Sequence, residues 1–319
     1  HELAPVIGMS RNGTIEDATA RRKLGLPERG GRAPLEDLSA TRSAKHGDGW
    51  ANSDITVSTS ADQTPLAPGR RVSDEVLGER RIARFVSEAP IRQFFSVQSA
   101  RYAERHRIHN GVDLAVYYHP EHQWNVDRML DALAASLDYF QEAFGPYPFD
   151  HVRIVEFPGY ATFAQAFAGT VPYSETYGFI ADFRDPEAFD HVTDTTAHEL
   201  AHQYWAHQVR AADMQGAELL SETLAQYSAM MMVTKLRGED QIRRHLQISL
   251  DNYLAWRAAA GGKEPPLYRT DGQNWIAYQK GSLAMYLLQK RIGEDAVNRA
   301  LRRLLERYRF QNAPYPRST

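Results

Sequence analysis

His198-Glu199-Leu200-Ala201-His202 is followed, 20 positions beyond its second histidine, by Glu222 in the stretch Ser221-Glu222-Thr223-Leu224-Ala225-Gln226-Tyr227. Two histidines four residues apart on a helix project from one face, close enough for both imidazoles to reach a single metal ion. Zinc suits imidazole nitrogen, and a catalytic zinc site keeps three protein ligands and one open position. Glu199, beside the first histidine, is placed to take a proton from water in that position. A third donor is therefore required. A second helical pattern opens at Gly216, runs to Arg237 and stops at Gly238, with Lys235 and Arg237 in its last turn as a C-terminal signal. The interval after His202 is long enough to leave one helix, cross a loop and return on another. Glu222 is the expected third ligand. Glu218, one turn earlier, is the alternative, and on an ordinary helix the two would simply form a solvated acidic stripe.

His198 to Trp205 (HELAHQYW), Ser221 to Tyr227 (SETLAQY) and Tyr278-Gln279-Lys280-Gly281 together resemble the aminopeptidase N family of zinc metallopeptidases, the gluzincins. The resemblance covers roughly residues 55–319. It implies one Zn2+ per chain, a peptide substrate, Glu222 as third ligand, and a hydrogen bond from Tyr278 to the tetrahedral intermediate. Nineteen residues lie between His202 and Glu222, one more than the resembled pattern usually has, and a loop between helices can absorb it. Read without the resemblance, Tyr278 is one of 16 tyrosines, most of which are expected to bury the ring and leave the hydroxyl at the core's edge. Its chemistry suits the implied role, because a neutral phenol is a donor at pH 7. It opens a helical pattern over residues 275–292, with Leu283, Tyr286 and Leu287 at core-like spacing.

Aminopeptidases of this kind carry G-x-M-E-N, whose glutamate binds the free α-amine, ahead of an edge strand. The corresponding stretch is Pro172-Tyr173-Ser174-Glu175-Thr176-Tyr177-Gly178-Phe179-Ile180. Aligned on Glu175 and Gly178, it makes Glu175, Tyr177 and Gly178 the candidate substrate-binding residues. A carboxylate is what an ammonium needs in a dehydrated cleft. Residues 177–181 are expected to form a strand that pairs with an extended peptide. The competing reading makes Glu175 an ordinary acid in a surface turn.

At 319 residues the chain can bury a sizeable core, and length alone predicts about two domains. Its 37 basic and 40 acidic residues leave no global charge of the kind nucleic-acid binding requires. The arginines at 299, 302, 303, 307 and 309 read as the solvated face of a terminal helix. With no cysteine, disulfides, thiolate zinc sites and cysteine nucleophiles are excluded. No apolar run is long enough to span a membrane, and no signal peptide is read. The chain opens at His1, which reads as a processed product or a segment of a longer protein.

Ile7-Gly8 and residues 18–26, with SETLAQY and its spacing, resemble the peptidase-like domains attached to ABC transporter permeases. That resemblance implies a soluble domain of a larger membrane-associated bacterial protein, with transporter segments outside this chain as partners. It allows a non-catalytic peptide-binding or structural role. A zinc endopeptidase without amine anchoring is a further alternative.

The fold class expected is α+β: a partial N-terminal β domain followed by a thermolysin-like, mostly helical catalytic domain. Residues 1–50 read as an irregular arm with a short helix near 16–24. Residues 51–118 read as the partial β domain, with strands at 53–60, 80–86, 93–97 and 111–118 and a turn at 65–69. Residues 119–319 form the peptidase domain, with a helix over 126–144, a buried strand over 152–157 and mainly helices after Phe189.

Overall fold

The structure, a computed structural model, describes residues 23–26, 32–45, 47, 49–185, 188–260 and 263–319. Ile7-Gly8 and most of both the expected short helix near 16–24 and the 18–26 stretch lie outside the described residues. What is described of the arm runs against the helical half, with single bridges from Ala33 to Met214 and from Ala44 to Ala212.

Among the described residues, nine strands make three sheets. β1 (Asp54–Ser60), β4 (Arg80–Val86) and β3 (Arg70–Leu77) pair antiparallel in that order, and β2 (Thr64–Leu66) pairs with β5 (Gln98–Ala100). The third sheet has the order β6 (Ala103–His109), β7 (Val112–Tyr118), β8 (His151–Phe157), β9 (Thr170–Ser174). Its first pair is antiparallel and the other two are parallel. The parallel step from β7 to β8 needs a crossover, and helix α1 (Val126–Ala143) supplies it. Met129, Leu130, Leu133, Leu137 and Phe140 recur at helical spacing on the buried face of α1. β8 is buried at all seven positions, as expected of a strand with parallel neighbours and both faces covered.

This sheet crosses the boundary drawn after residue 118, since β6 and β7 share it with β8 and β9. β3, β6 and β9 were not foreseen, and neither β2 nor β5 was read as a strand. β3 is exposed at seven of its eight positions and β6 carries Glu104, Arg105, His106 and Arg107, so neither of these two gives a strong apolar alternation. The strand expected at 93–97 does not form; pairing begins at Gln98. The turn expected at 65–69 is partly taken up by β2.

Beyond β8 the chain turns back along the sheet. Residues 163–167 run antiparallel to β9, with Ser174 N donating to Phe163 O (3.0 Å), Gln165 N to Pro172 O (3.1 Å) and Phe167 N to Thr170 O (2.7 Å). The strand expected over 177–181 is instead a wide helical turn, Glu175–Phe179. Two contacts accompany it. The Asn125 side chain donates to the carbonyls of Gly178, Phe179 and Ala181, and Gly178 lies so close to Tyr173 that an added Cβ would sit 2.9 Å from its ring.

Further α-helices among the described residues are α2 (His191–Ala201), α3 (Glu222–Arg237), α4 (Glu239–Ala260), α5 (Gly281–Ile292) and α6 (Glu294–Tyr308). Asp190 caps α2 by accepting from Thr193 N at 3.1 Å. The pattern expected as one helix over 216–237 is broken at Ser221, where a 3₁₀ turn, Ala217–Leu220, meets α3. α3 is buried from Thr223 to Val233 apart from the half-buried Gln226, and the wholly buried Trp205 bridges to it, its indole donating to Ser228 Oγ at 3.0 Å. The arginines at 299, 303 and 307 on α6, and Arg309 just beyond it, are exposed as expected, whereas Arg302 donates to the Glu142 and Ala143 carbonyls at the end of α1. Among the described residues no helix is long and apolar enough to cross a membrane.

Candidate metal centre

α2 and α3 pack side by side and bring the two histidines against the glutamate across the seam. Glu222 Oε2 lies 3.6 Å from His198 Nε2 and 3.2 Å from His202 Nε2, and one donor atom from each lies within 4.8 Å of the others. His202 is the residue at which α2 ends. Its Nδ1 sits 3.1 Å from the Trp205 carbonyl, so that nitrogen carries a proton and Nε2 is the one turned toward Glu222 and available to a metal ion. A metal-binding histidine held in this way through its other nitrogen is the usual supporting arrangement. Glu199 is 7% exposed, and its Oε2 has no hydrogen-bond partner among the described residues. A His, His, carboxylate set beside a buried carboxylate with one oxygen unpartnered among the described residues fits a zinc ion and its water.

Glu218 is elsewhere. It is 3% exposed and is neutralised by Arg32 and by Lys45, whose Nζ lies 3.5 Å away. Two other triads among the described residues have donor atoms this close, Glu88 with Asp150 and His151, and His122 with Glu156 and Glu175. In the second, both Glu156 oxygens are already engaged, by His122 Nδ1 and the His119 amide, each at 2.5 Å.

Tyr278 reaches the set from the turn Ile276–Lys280 that leads into α5. Its hydroxyl donates to Glu222 Oε2 at 2.5 Å and its ring stacks on His198 with centroids 5.5 Å apart. The glycine of the Tyr278-Gln279-Lys280-Gly281 stretch has a packing reason. A Cβ on Gly281 would meet Thr223 Oγ1 at 2.5 Å, and Thr223 itself donates to the Ala277 carbonyl at 2.6 Å. The absence of a side chain lets this turn close on α3 beside Glu222.

The electrostatics follow from burial. Burial raises the Glu199 carboxyl above its usual range, although His202 and His198 pull the other way. Burial would also raise Glu222, but His202 and His198 overcome it and hold that group well below the ordinary value. Burial first, and the Glu222 charge next, push the Tyr278 phenol upward, so it stays a proton donor.

Two cavities flank the donor set. One, of about 400 Å³, is lined by His198, Glu199, Tyr278, Tyr177, Asp194 and His245 among others. Tyr177 thus stands at the site, its ring stacked on His191, while Gly178 is buried behind it. The other, of about 310 Å³, opens on His202 and Glu222 and is bordered by Gln165 of the outer hairpin segment. Glu175 lines neither; it accepts from the Gly159 amide at 2.7 Å.

Several lining groups had escaped the sequence reading. Asp194 sits one turn before His198 on α2, with Gln226 of α3 donating to it at 3.3 Å and His245 of α4 equally near. Its spacing of four from His198 was a usable signal. Gln165 carried none, because the stretch around it is short and apolar.

Residues 128–316 match the family described as the peptidase family M1 domain. Among curated proteins, the chain is 24% identical over 213 residues to endoplasmic reticulum aminopeptidase 2 of Homo sapiens, covering 64% of this chain and 22% of that protein. It is 24% identical over 215 residues to aminopeptidase N of Lactobacillus helveticus, covering 64% of this chain and 25% of that protein. The chain thus spans about a quarter of the length of these relatives. Among solved structures, the M1 zinc metallopeptidase of Deinococcus radiodurans superposes with a TM-score of 0.65 at 18% identity, over 82% of this chain and 57% of that one. A mutant of it bound to the substrate Tyr-Ser-Ala superposes at 0.61 with 20% identity, over 83% and 58%.

Proposed function

The chain belongs to peptidase family M1, and we propose that it hydrolyses peptide bonds with one zinc ion held by His198, His202 and Glu222. The observation that carries this reading is the buried Glu199 carboxylate, whose Oε2 has no hydrogen-bond partner among the described residues, beside three convergent donors and the Tyr278 hydroxyl. The relatives named aminopeptidases and the structures named zinc metallopeptidases support it.

Zinc in this set would supply Lewis acidity, polarising the scissile carbonyl and making its water acidic enough to lose a proton near neutral pH. Glu199, made more basic by burial, accepts that proton and passes it to the departing amine. Tyr278 donates to the oxygen on which negative charge develops. The edge segment 163–167 offers backbone groups for pairing with an extended peptide. A module that only bound peptides would need neither Glu199 nor Tyr278. Attachment to transporter segments outside this chain rests on the sequence resemblance.

The names of the relatives favour an aminopeptidase, in which a carboxylate holds the free α-amine, the role expected of Glu175. One observation favours a second reading, an endopeptidase without amine anchoring: Glu175 is tied to Gly159 and lines neither cavity. The zinc-loaded chain, offered one peptide with a free and with an acetylated N-terminus, decides between them. Stepwise release from the free form alone supports the aminopeptidase, and equal internal cleavage of both supports the endopeptidase. Folded, zinc-loaded protein that cleaves neither would overturn peptide hydrolysis itself.

A further inference from the structure

The cavity on the His202 and Glu222 side has the wrong charge for an ammonium. Its ionisable lining consists of Lys45, Arg92 and Arg210, the two histidines His202 and His207, and one acid, Glu222, which already belongs to the donor set. His207 adds no charge near neutral pH, because burial first, and Arg92 next, hold it well below the ordinary histidine value. Lys45 leans on Glu218 and Arg210 donates to the Gly49 carbonyl at 2.6 Å.

Arg92 is different. It is 5% exposed, and the polar contact of its guanidinium is one long approach from Nη1 to the Ala206 carbonyl at 3.5 Å. Its Nε and Nη2 have no hydrogen-bond partner among the described residues. The Phe94 ring lies under it at 5.1 Å and covers one face without supplying an acceptor. Burying a guanidinium without an acid is costly, and burial, with the like charge of Arg210, lowers Arg92 to about 9. The planar fork of Arg92 matches a carboxylate, which can take two of its hydrogens at once. Gln165, at the same wall, belongs to the edge segment along which an extended peptide would lie.

We propose that this cavity is a carboxylate-binding subsite in which Arg92 grips an anionic group of the peptide, so that the chain selects acidic substrates. The inference rests on the peptide-hydrolysis reading for its ligand. The carboxylate has two possible sources, an acidic side chain next to the cleaved bond or the free C-terminus of a short peptide.

The test is calorimetry on zinc-loaded Glu199→Gln protein, which reads binding whether or not turnover occurs. One arm compares acetylated, amidated peptides that differ only in Glu, Gln or Lys at each position in turn. The other compares a neutral peptide with a free and an amidated C-terminus. We expect the carboxylate form to bind about tenfold tighter in one of the two arms, which identifies the source. Adding Arg92→Gln should remove that preference, and Arg92→Lys should keep part of it, which also guards against a folding failure. Equal binding in both arms, a preference for Lys, or a preference that survives Arg92→Gln in folded protein would overturn the subsite. Carboxylate-selective binding by a chain that cleaves nothing would leave the subsite standing and remove the peptidase reading.

Discussion

Tyr278 donates its hydroxyl hydrogen to Glu222 Oε2 at 2.5 Å, so the group expected to stabilise the oxyanion is held by the group expected to bind the metal. The contact crosses from the turn before α5 to the first residue of α3. It positions the phenol before any substrate arrives, and it separates two effects that mutation can tell apart.

Glu222→Ala should abolish stoichiometric zinc binding, read by elemental analysis after dialysis. Glu218→Ala should keep the metal but lose stability, by about 3 kcal/mol, because Arg32 and Lys45 would be left facing a cavity. Loss of zinc in Glu218→Ala with retention in Glu222→Ala would reverse the assignment.

Glu199→Gln should bind zinc normally and show no measurable turnover, since the amide keeps the shape and cannot accept the proton. Tyr278→Phe should retain zinc and lower kcat by about a hundredfold. Near-normal kcat in Tyr278→Phe would return that residue to an ordinary core tyrosine.

Gly281→Ala should act at a distance. Its Cβ would lie 2.5 Å from Thr223 Oγ1, so the turn carrying Tyr278 must move from α3, at about 1–3 kcal/mol of stability. We expect kcat to fall with zinc content unchanged. An unchanged kcat would show that the close approach is not needed to place Tyr278.

His106, on β6, gives a pH test away from the site. Hydrogen bonds to Asp113 first and Glu104 second raise it from 6.5 to about 9. The folded value exceeds the unfolded one, so its contribution is complete below about 6.5 and is lost as pH rises through about 9. His106→Gln should therefore lower the denaturation midpoint at pH 6 and have little effect at pH 10. An equal loss at both values would mean that charge is not what His106 contributes.

The sequence by itself determined the chemistry of the centre. His198, Glu199 and His202 had to share a helical neighbourhood because helical periodicity is local, and the spacing to Glu222 allowed a return on a second helix. The long apolar elements were also legible, α1 and β8 above all, because burial on one face or both writes itself into residue order. Tertiary structure alone decided what depends on contacts distant in sequence. Glu222 stands beside His198 and His202, whereas Arg32 and Lys45 pair with Glu218. β6 joined the sheet of β8 although its own residues are largely charged. Residues 175–179 form a turn rather than a strand, and Glu175 on it lines neither cavity. The cationic wall of Lys45, Arg92 and Arg210 comes from three separated stretches of chain, and no local pattern could announce it, since a cavity's charge belongs to the packing that assembles its walls.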